Sequence, residues 1–122
     1  MREPTYFVLA ALLAGPLHGY AIIKRAGELS DGRVRLATGT LYTALDRLTA
    51  EGQVELVSEE TVGGRIRRSY GLTGPGAAAL RAEAQRMAEA AQIVMEPTAR
   101  AGRLFSPPTT PGISLARKPR PA

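Results

Sequence analysis

The spacing of apolar positions changes several times along the chain, and each change marks an element. From Tyr6 to Ala14 the side chains are apolar without interruption. Pro4 suits the first turn of a helix and Gly15-Pro16 ends it. Phe7, Val8, Ala11 and Leu12 make one face, which Leu9 and Leu13 widen. A helix apolar on all sides needs covering on more than one, by its own domain and by a second protomer. A second helix is predicted from about Gly19 to Leu29, with Tyr20, Ile23, Ala26 and Leu29 at helical spacing and Lys24, Arg25 and Glu28 opposite. Ser30-Asp31-Gly32 is a turn signal, and the alternation Arg33-Val-Arg-Leu36 predicts a very short strand. Thr38 is placed to cap a third helix, whose buried stripe is Leu41, Leu45 and Leu48 and whose stop is Gly52.

The period then drops to two. Val54 and Leu56 begin a strand, Thr61-Val62-Gly63-Gly64 turns it, and Ile66, Tyr70 and Leu72 alternate on the return. Thr73 and Pro75 open a fourth, alanine-rich helix running to about Glu96, and Pro97 ends or kinks it. Along it Leu80, Ala84, Met87, Ala91 and Val94 step by four and three, a heptad seam fit for a helix partner. The end of the chain is proline-spaced and basic, a composition too poor in apolar residues to order itself. The fold class expected is mostly α with a small β-hairpin (α+β): a winged helix-turn-helix over 1–74, a dimerisation helix over 75–103, and a basic, proline-rich tail over 104–122.

Composition narrows the function. The 122 residues contain no cysteine and one histidine, which excludes disulfides, thiol chemistry and cysteine-ligated zinc and leaves little for a metal or cofactor. His18, at a helix start, is expected to cap or pack. Paired carboxylates, a serine–histidine pair and a phosphate loop are all missing, so no enzyme is expected. The first apolar run has acidic Glu3 in its leader and Gly15-Pro16-Leu17-His18 as a poor cleavage site, so it is expected to be a buried helix and not a secretion signal. No run approaches the length of a membrane span, and a soluble, cytoplasmic protein is expected. Net charge is +5, but Arg117, Lys118 and Arg120 supply three of those charges. Local distribution must therefore carry any argument for nucleic acid.

That distribution is uneven in an informative way. The exposed face of the third helix offers Thr38, Gly39, Thr40 and Thr43 near its N-terminus, where a recognition helix meets base edges. Tyr42 either packs or reaches the backbone with its hydroxyl. Past the Gly-Gly turn come Arg65, Arg67 and Arg68, with no acid between Thr61 and Ala82. On a strand Arg65 and Arg67 share one face, while Arg68 falls with Ile66 and Tyr70. Arg65 and Arg67 are thus the candidates for phosphate or minor-groove contact, and Glu59 or Glu60 can pair across to Arg67 or Arg68. Arg33 and Arg35 are further candidates for the DNA backbone.

Several segments together resemble the PadR family of bacterial transcriptional regulators. They are Pro16-Leu-His-Gly-Tyr20, Gly39-Thr-Leu-Tyr42, Leu45-Asp-Arg-Leu48, Glu51-Gly52 and Gly64-Arg-Ile-Arg-Arg-Ser-Tyr-Gly-Leu-Thr73, in family order over roughly residues 5–80. The resemblance implies a homodimer on double-stranded, palindromic operator DNA. It also implies repression that a small aromatic or hydrophobic effector relieves. The family's DNA-facing positions correspond to Thr38, Gly39, Thr40, Tyr42, Thr43, Arg65 and Arg67. Some members stack drugs between tryptophans, a residue this chain lacks; Phe7, Leu13 and Met87 are the apolar candidates for an effector cleft. The alternative is a winged helix that binds protein in place of DNA.

Overall fold

The computed structural model describes residues 1–96. In chain order the elements are α1 (Glu3–Ala11), β1 (Leu17–His18), α2 (Gly19–Leu29), α3 (Thr38–Ala50), β2 (Val54–Val62), β3 (Arg65–Leu72) and α4 (Gly74–Met95). They fall into two units, Met1–Arg86 and a second beginning at Met87. Pro97, the outer part of the 75–103 segment, and the tail with Arg117, Lys118 and Arg120 lie outside the described residues.

The first unit is organised around three helices and the base of a sheet. Val8, Leu9 and Leu12 meet Ile22 of α2, the leucine stripe Leu41, Leu45 and Leu48 of α3, and Val54 and Tyr70 of the sheet. All three α3 leucines are fully buried, as their spacing predicts. α1 is less enclosed than its composition suggests. Phe7 is half-buried, edge-on to Tyr6 with ring centroids 5.2 Å apart, and the helix ends at Ala11, short of the apolar run, leaving Leu13 beyond it 56% exposed.

α2 is rotated from its expected phase. Gly19, Ile22 and Ala26 are buried, Ile23 is half-buried, and Tyr20 and Leu29 are exposed. The cause is local: apolar side chains stand at Tyr20, Ile22 and Ile23 alike, so periodicity alone leaves two phases open, and packing selects the one that buries the small glycine and alanine. His18 caps this helix, its Nδ1 accepting from the Ala21 N–H at 3.4 Å.

The stretch after α2 is not a strand. Asp31 sits at φ 56° and Gly32 at φ 83°, and their N–H groups donate to Glu28 and Gly27 carbonyls, closing the helix with a left-handed cap. The buried Ser30 hydroxyl then accepts from the Val34 N–H at 2.9 Å, so the backbone donor that a strand needs is already engaged. α3 begins at Thr38 with Ala37 in the cap position and no side-chain cap, which corrects the expectation that Thr38 caps it. Its C-terminus follows expectation: Gly52 has φ 76°, and the Gly52 and Gln53 N–H groups close on the Thr49 and Leu48 carbonyls.

The sheet has three antiparallel strands in the order β1-β3-β2. β1 is the unexpected member, pairing Leu17 with Tyr70 and His18 with Ser69. Two residues carry no readable period. Gly63 and Gly64, at φ 59° and 79°, make the two-residue turn between β2 and β3, the left-handed pair that matches strand twist. The register bulges between Leu56 and Ser58.

α4 is tied to the end of α3. The Thr73 hydroxyl donates to the Gly52 carbonyl at 2.6 Å and accepts from the Gly76 N–H at 3.0 Å. Gly76 is required there, since a Cβ would collide with the Gln53 carbonyl oxygen. Leu80, expected at the head of a dimer seam, is 4% exposed and belongs to the core of its own chain. The core needs a side chain to close it beneath α1, and the seam pattern cannot reveal that the first position is taken.

Candidate nucleic-acid interface

Thr38, Gly39, Thr40 and Thr43 are all exposed, on the face of α3 turned away from its leucine stripe. The absence of a side-chain cap leaves the first-turn N–H groups open, a local preference for an anion. Gly39 has open space where a Cβ would stand, so nothing within the protein demands glycine there.

The two flanks of α3 differ. On one side Tyr42, Asp46 and Thr49 face the hairpin across a cleft that Leu56, Arg68 and Tyr70 complete. On the other, Thr40, Ala44 and Arg47 face α1 across a groove of about 690 Å³ that also reaches Arg2, Thr5 and Val8. This follows from helical geometry, because positions 40, 44 and 47 lie roughly opposite 42, 46 and 49.

Tyr42 is a packing residue first. Its ring is half-buried, 6.4 Å from that of Tyr70, and a Cβ on Gly19 would land on its hydroxyl. This contact explains why glycine follows His18. Burial pushes the Tyr70 hydroxyl above the ordinary tyrosine pKa, so that ring remains a neutral spacer between helix and hairpin near neutral pH.

The hairpin separates its arginines as alternation predicts. Arg68 stands opposite Glu59 in register, and its Nε donates to Glu59 Oε2 at 2.6 Å. Arg65 stands opposite Val62, and Arg67 opposite Glu60. Among the described residues neither Arg65 nor Arg67 has an ion pair, so their charge is available to a ligand. Arg33 is spoken for, paired with Glu3 at 2.6 Å, and Arg35 donates to the Gly32 carbonyl at 3.0 Å.

Tyr20 is the member of this surface that periodicity does not reveal. It is 74% exposed and, with His18, borders a cleft shared with Tyr42, Arg65, Ile66 and Arg67. Its place at the start of the helix preceding α3 is the available signal, since that helix crosses the DNA backbone in a helix-turn-helix.

The remaining expected residues are not gathered into one place. In the first unit Ala84 is half-buried and Leu80 is in the core. In the second, Met87, Ala91 and Val94 are exposed, as are Ile93 and Met95. Of the effector candidates, neither Phe7 nor Leu13 lines the groove beside α3. Among the described residues no group of His, Cys, Asp or Glu could hold a metal, and no helix is long and apolar enough to cross a membrane.

Comparison with known proteins bears on the family and the fold. The sequence model of the transcriptional regulator PadR-like family matches residues 8–82. The chain is 45% identical over 69 residues to the transcriptional regulator Rv3488 of Mycobacterium tuberculosis, an alignment covering 56% of this chain and 63% of that protein. It spans 26% of a second curated relative, so both relatives extend well beyond the shared part. A PadR family transcription regulator from Clostridium difficile R20291 matches with TM-score 0.64 and 25% identity, over 78% of this chain and 97% of that one. Bacillus subtilis PadR, solved in complex with operator DNA, shares the fold with TM-score 0.61 and 23% identity, over 86% of this chain and 68% of that one.

Proposed function

This chain belongs to the PadR-like family of transcriptional regulators, and we propose that it binds double-stranded DNA as a homodimer, with the N-terminal half of α3 in the major groove and Arg65 and Arg67 on the adjacent backbone. The observation carrying this reading is the presence of two features in one unit. An uncapped helix start with exposed Thr38, Gly39, Thr40 and Thr43 lies in the same unit as two wing arginines that make no ion pair among the described residues. Threonine hydroxyls bond bases or phosphates and their methyls meet thymine, while arginines release counterions from phosphates.

Dimerisation supplies affinity that one small module lacks, and a two-fold pair reads a palindrome with half-sites about one helical turn apart. Met87, Ala91 and Val94, exposed along the end of α4, are the surface offered to the partner, with Ala84 before them. Family membership supports repression as the mode of action, release by a small hydrophobic or aromatic effector, and a cytoplasmic site of action. Phe7 and Leu13 are the apolar residues of the first unit proposed for that effector.

Fragments of genomic DNA incubated with the full chain test the reading directly. A shifted fragment is expected, with affinity falling steeply as salt rises. Arg65 and Arg67 of each protomer, each on one phosphate, contribute about −3.6 to the log–log slope of the dimer. Arg65→Ala with Arg67→Ala should make that slope shallower while the circular dichroism spectrum is unchanged. An unaltered slope removes the wing from the interface, and no binding at low salt favours a protein partner instead.

A further inference from the structure

We propose that the groove between α1 and α3 is a second backbone-phosphate site, with Arg2 and Arg47 as its charged pair. The inference rests on the DNA-binding reading above and extends it to the flank of α3 that lies away from the wing.

An α-helix with its side chains is about 10–12 Å across, and the major groove that admits it is about 12 Å wide. A helix seated in that groove therefore has a phosphate backbone along each side. The hairpin borders the Tyr42, Asp46 and Thr49 flank, so its arginines serve one backbone. The opposite flank, Thr40, Ala44 and Arg47, is bordered by the start of α1. Whatever meets the other backbone must come from there.

The chemistry present on that flank suits a phosphate. Arg47 is held in place because its Nη2 donates to Thr5 Oγ1 at 3.0 Å, yet its side chain is nearly half exposed. Arg2 is exposed and has no ion pair among the described residues. The nearest acid in sequence, Glu3, is occupied by Arg33 at 2.6 Å. The carboxylate competing for Arg47 among the described residues is Glu51, whose Oε1 is 3.5 Å from Arg47 Nη1; a pair this loose and exposed yields readily to a phosphate. The groove's volume of about 690 Å³ far exceeds a single anion and fits a run of sugar-phosphate backbone, with half-buried Leu36 and Ala44 among its lining residues.

The test uses the full chain and a mixed-sequence duplex, with affinity followed by fluorescence anisotropy as potassium chloride is raised. Arg2→Ala with Arg47→Ala should make the log–log slope shallower by about 0.9 for each phosphate no longer neutralised, equally on specific and mixed-sequence DNA. Arg2→Lys with Arg47→Lys should restore most of the slope, since a point charge suffices for a phosphate. Arg2→Ala alone guards against misfolding, because that exposed side chain makes no hydrogen bond or ion pair among the described residues. An unchanged slope in the alanine variants, beside a reduced one for Arg65→Ala with Arg67→Ala, overturns the second site and leaves DNA binding intact. Failure of the unmodified chain to bind with any salt dependence overturns both.

Discussion

α3 and the wing, the two parts proposed to hold a duplex, rest on opposite kinds of support. α3 is anchored by three fully buried leucines and by a left-handed stop at Gly52. The wing has no buried residue from Glu55 to Arg68. Its shape comes from the ladder between β2 and β3, the glycine pair at its tip, and the exposed Arg68–Glu59 pair. Tertiary packing fixes the helix that would read bases, where a small displacement destroys a hydrogen bond. Backbone pairing alone fixes the arm that would hold phosphates, where a point charge tolerates adjustment. The difference teaches which substitutions uncouple stability from binding: those in the wing do, and those beneath α3 do not.

The strongest test of that contrast is Leu45→Ala. Removing a fully buried leucine side chain should cost about 2–5 kcal/mol through reduced burial and the cavity left behind, a large share of the total for a domain of this size. Urea denaturation should show a clear fall in midpoint, with DNA binding lost in parallel. A variant that melts normally would mean α3 is held by something other than its leucine stripe.

Much of this support is visible in the sequence. The stripe of α3, the stop at Gly52 and the turn at Gly63-Gly64 each combine a period with a residue whose backbone preference agrees. The alternation likewise puts Arg65 and Arg67 on one strand face and Arg68 on the other, while the choice of Arg68 over Arg67 as the paired arginine comes from the structure. Four features are not visible, each for a physical reason. β1 is too short to have a period. Arg33–Leu36 alternates like a strand, but the Ser30 hydroxyl already engages Val34. α2 carries apolar side chains on two faces, so only packing decides that Tyr20 turns outward. Leu80 fits the heptad seam as well as Val94 does, yet the first is 4% exposed and the second 73%, because the core claims the near end of α4.

A smaller effect is expected where α3 meets α2. Gly19→Ala places a Cβ against the Tyr42 hydroxyl, with the ring carbon Cζ at 2.9 Å. The obstruction is the outer end of a ring that can swing, so the cost should fall at the low end of the about 1–3 kcal/mol typical of overpacking. Tyr42→Phe removes the clashing oxygen and should recover part of it, making the pair of substitutions less damaging than their sum. Additive losses in thermal melts would mean that Gly19 is needed for its backbone and not for this contact.

The smallest effect is expected from Glu59→Gln. Glu59 and Arg68 form a short pair in register, but both side chains are nearly half exposed, so water and salt screen much of their attraction. Glu59 also raises the already high pKa of the guanidinium, chiefly by its hydrogen bond; Arg68 is therefore charged at any working pH with or without this partner. The melting temperature should barely move. Binding is the sharper readout, because the substitution frees Arg68 without moving the hairpin ladder. Arg68 lies on the strand face that carries Tyr70, in the cleft with Tyr42 and Asp46, so the salt slope of DNA binding should stay as it is. A steeper slope would put Arg68 on the duplex as a third wing contact, and Glu59 would then be a brake on the wing's affinity, making the hairpin tunable by a single carboxylate.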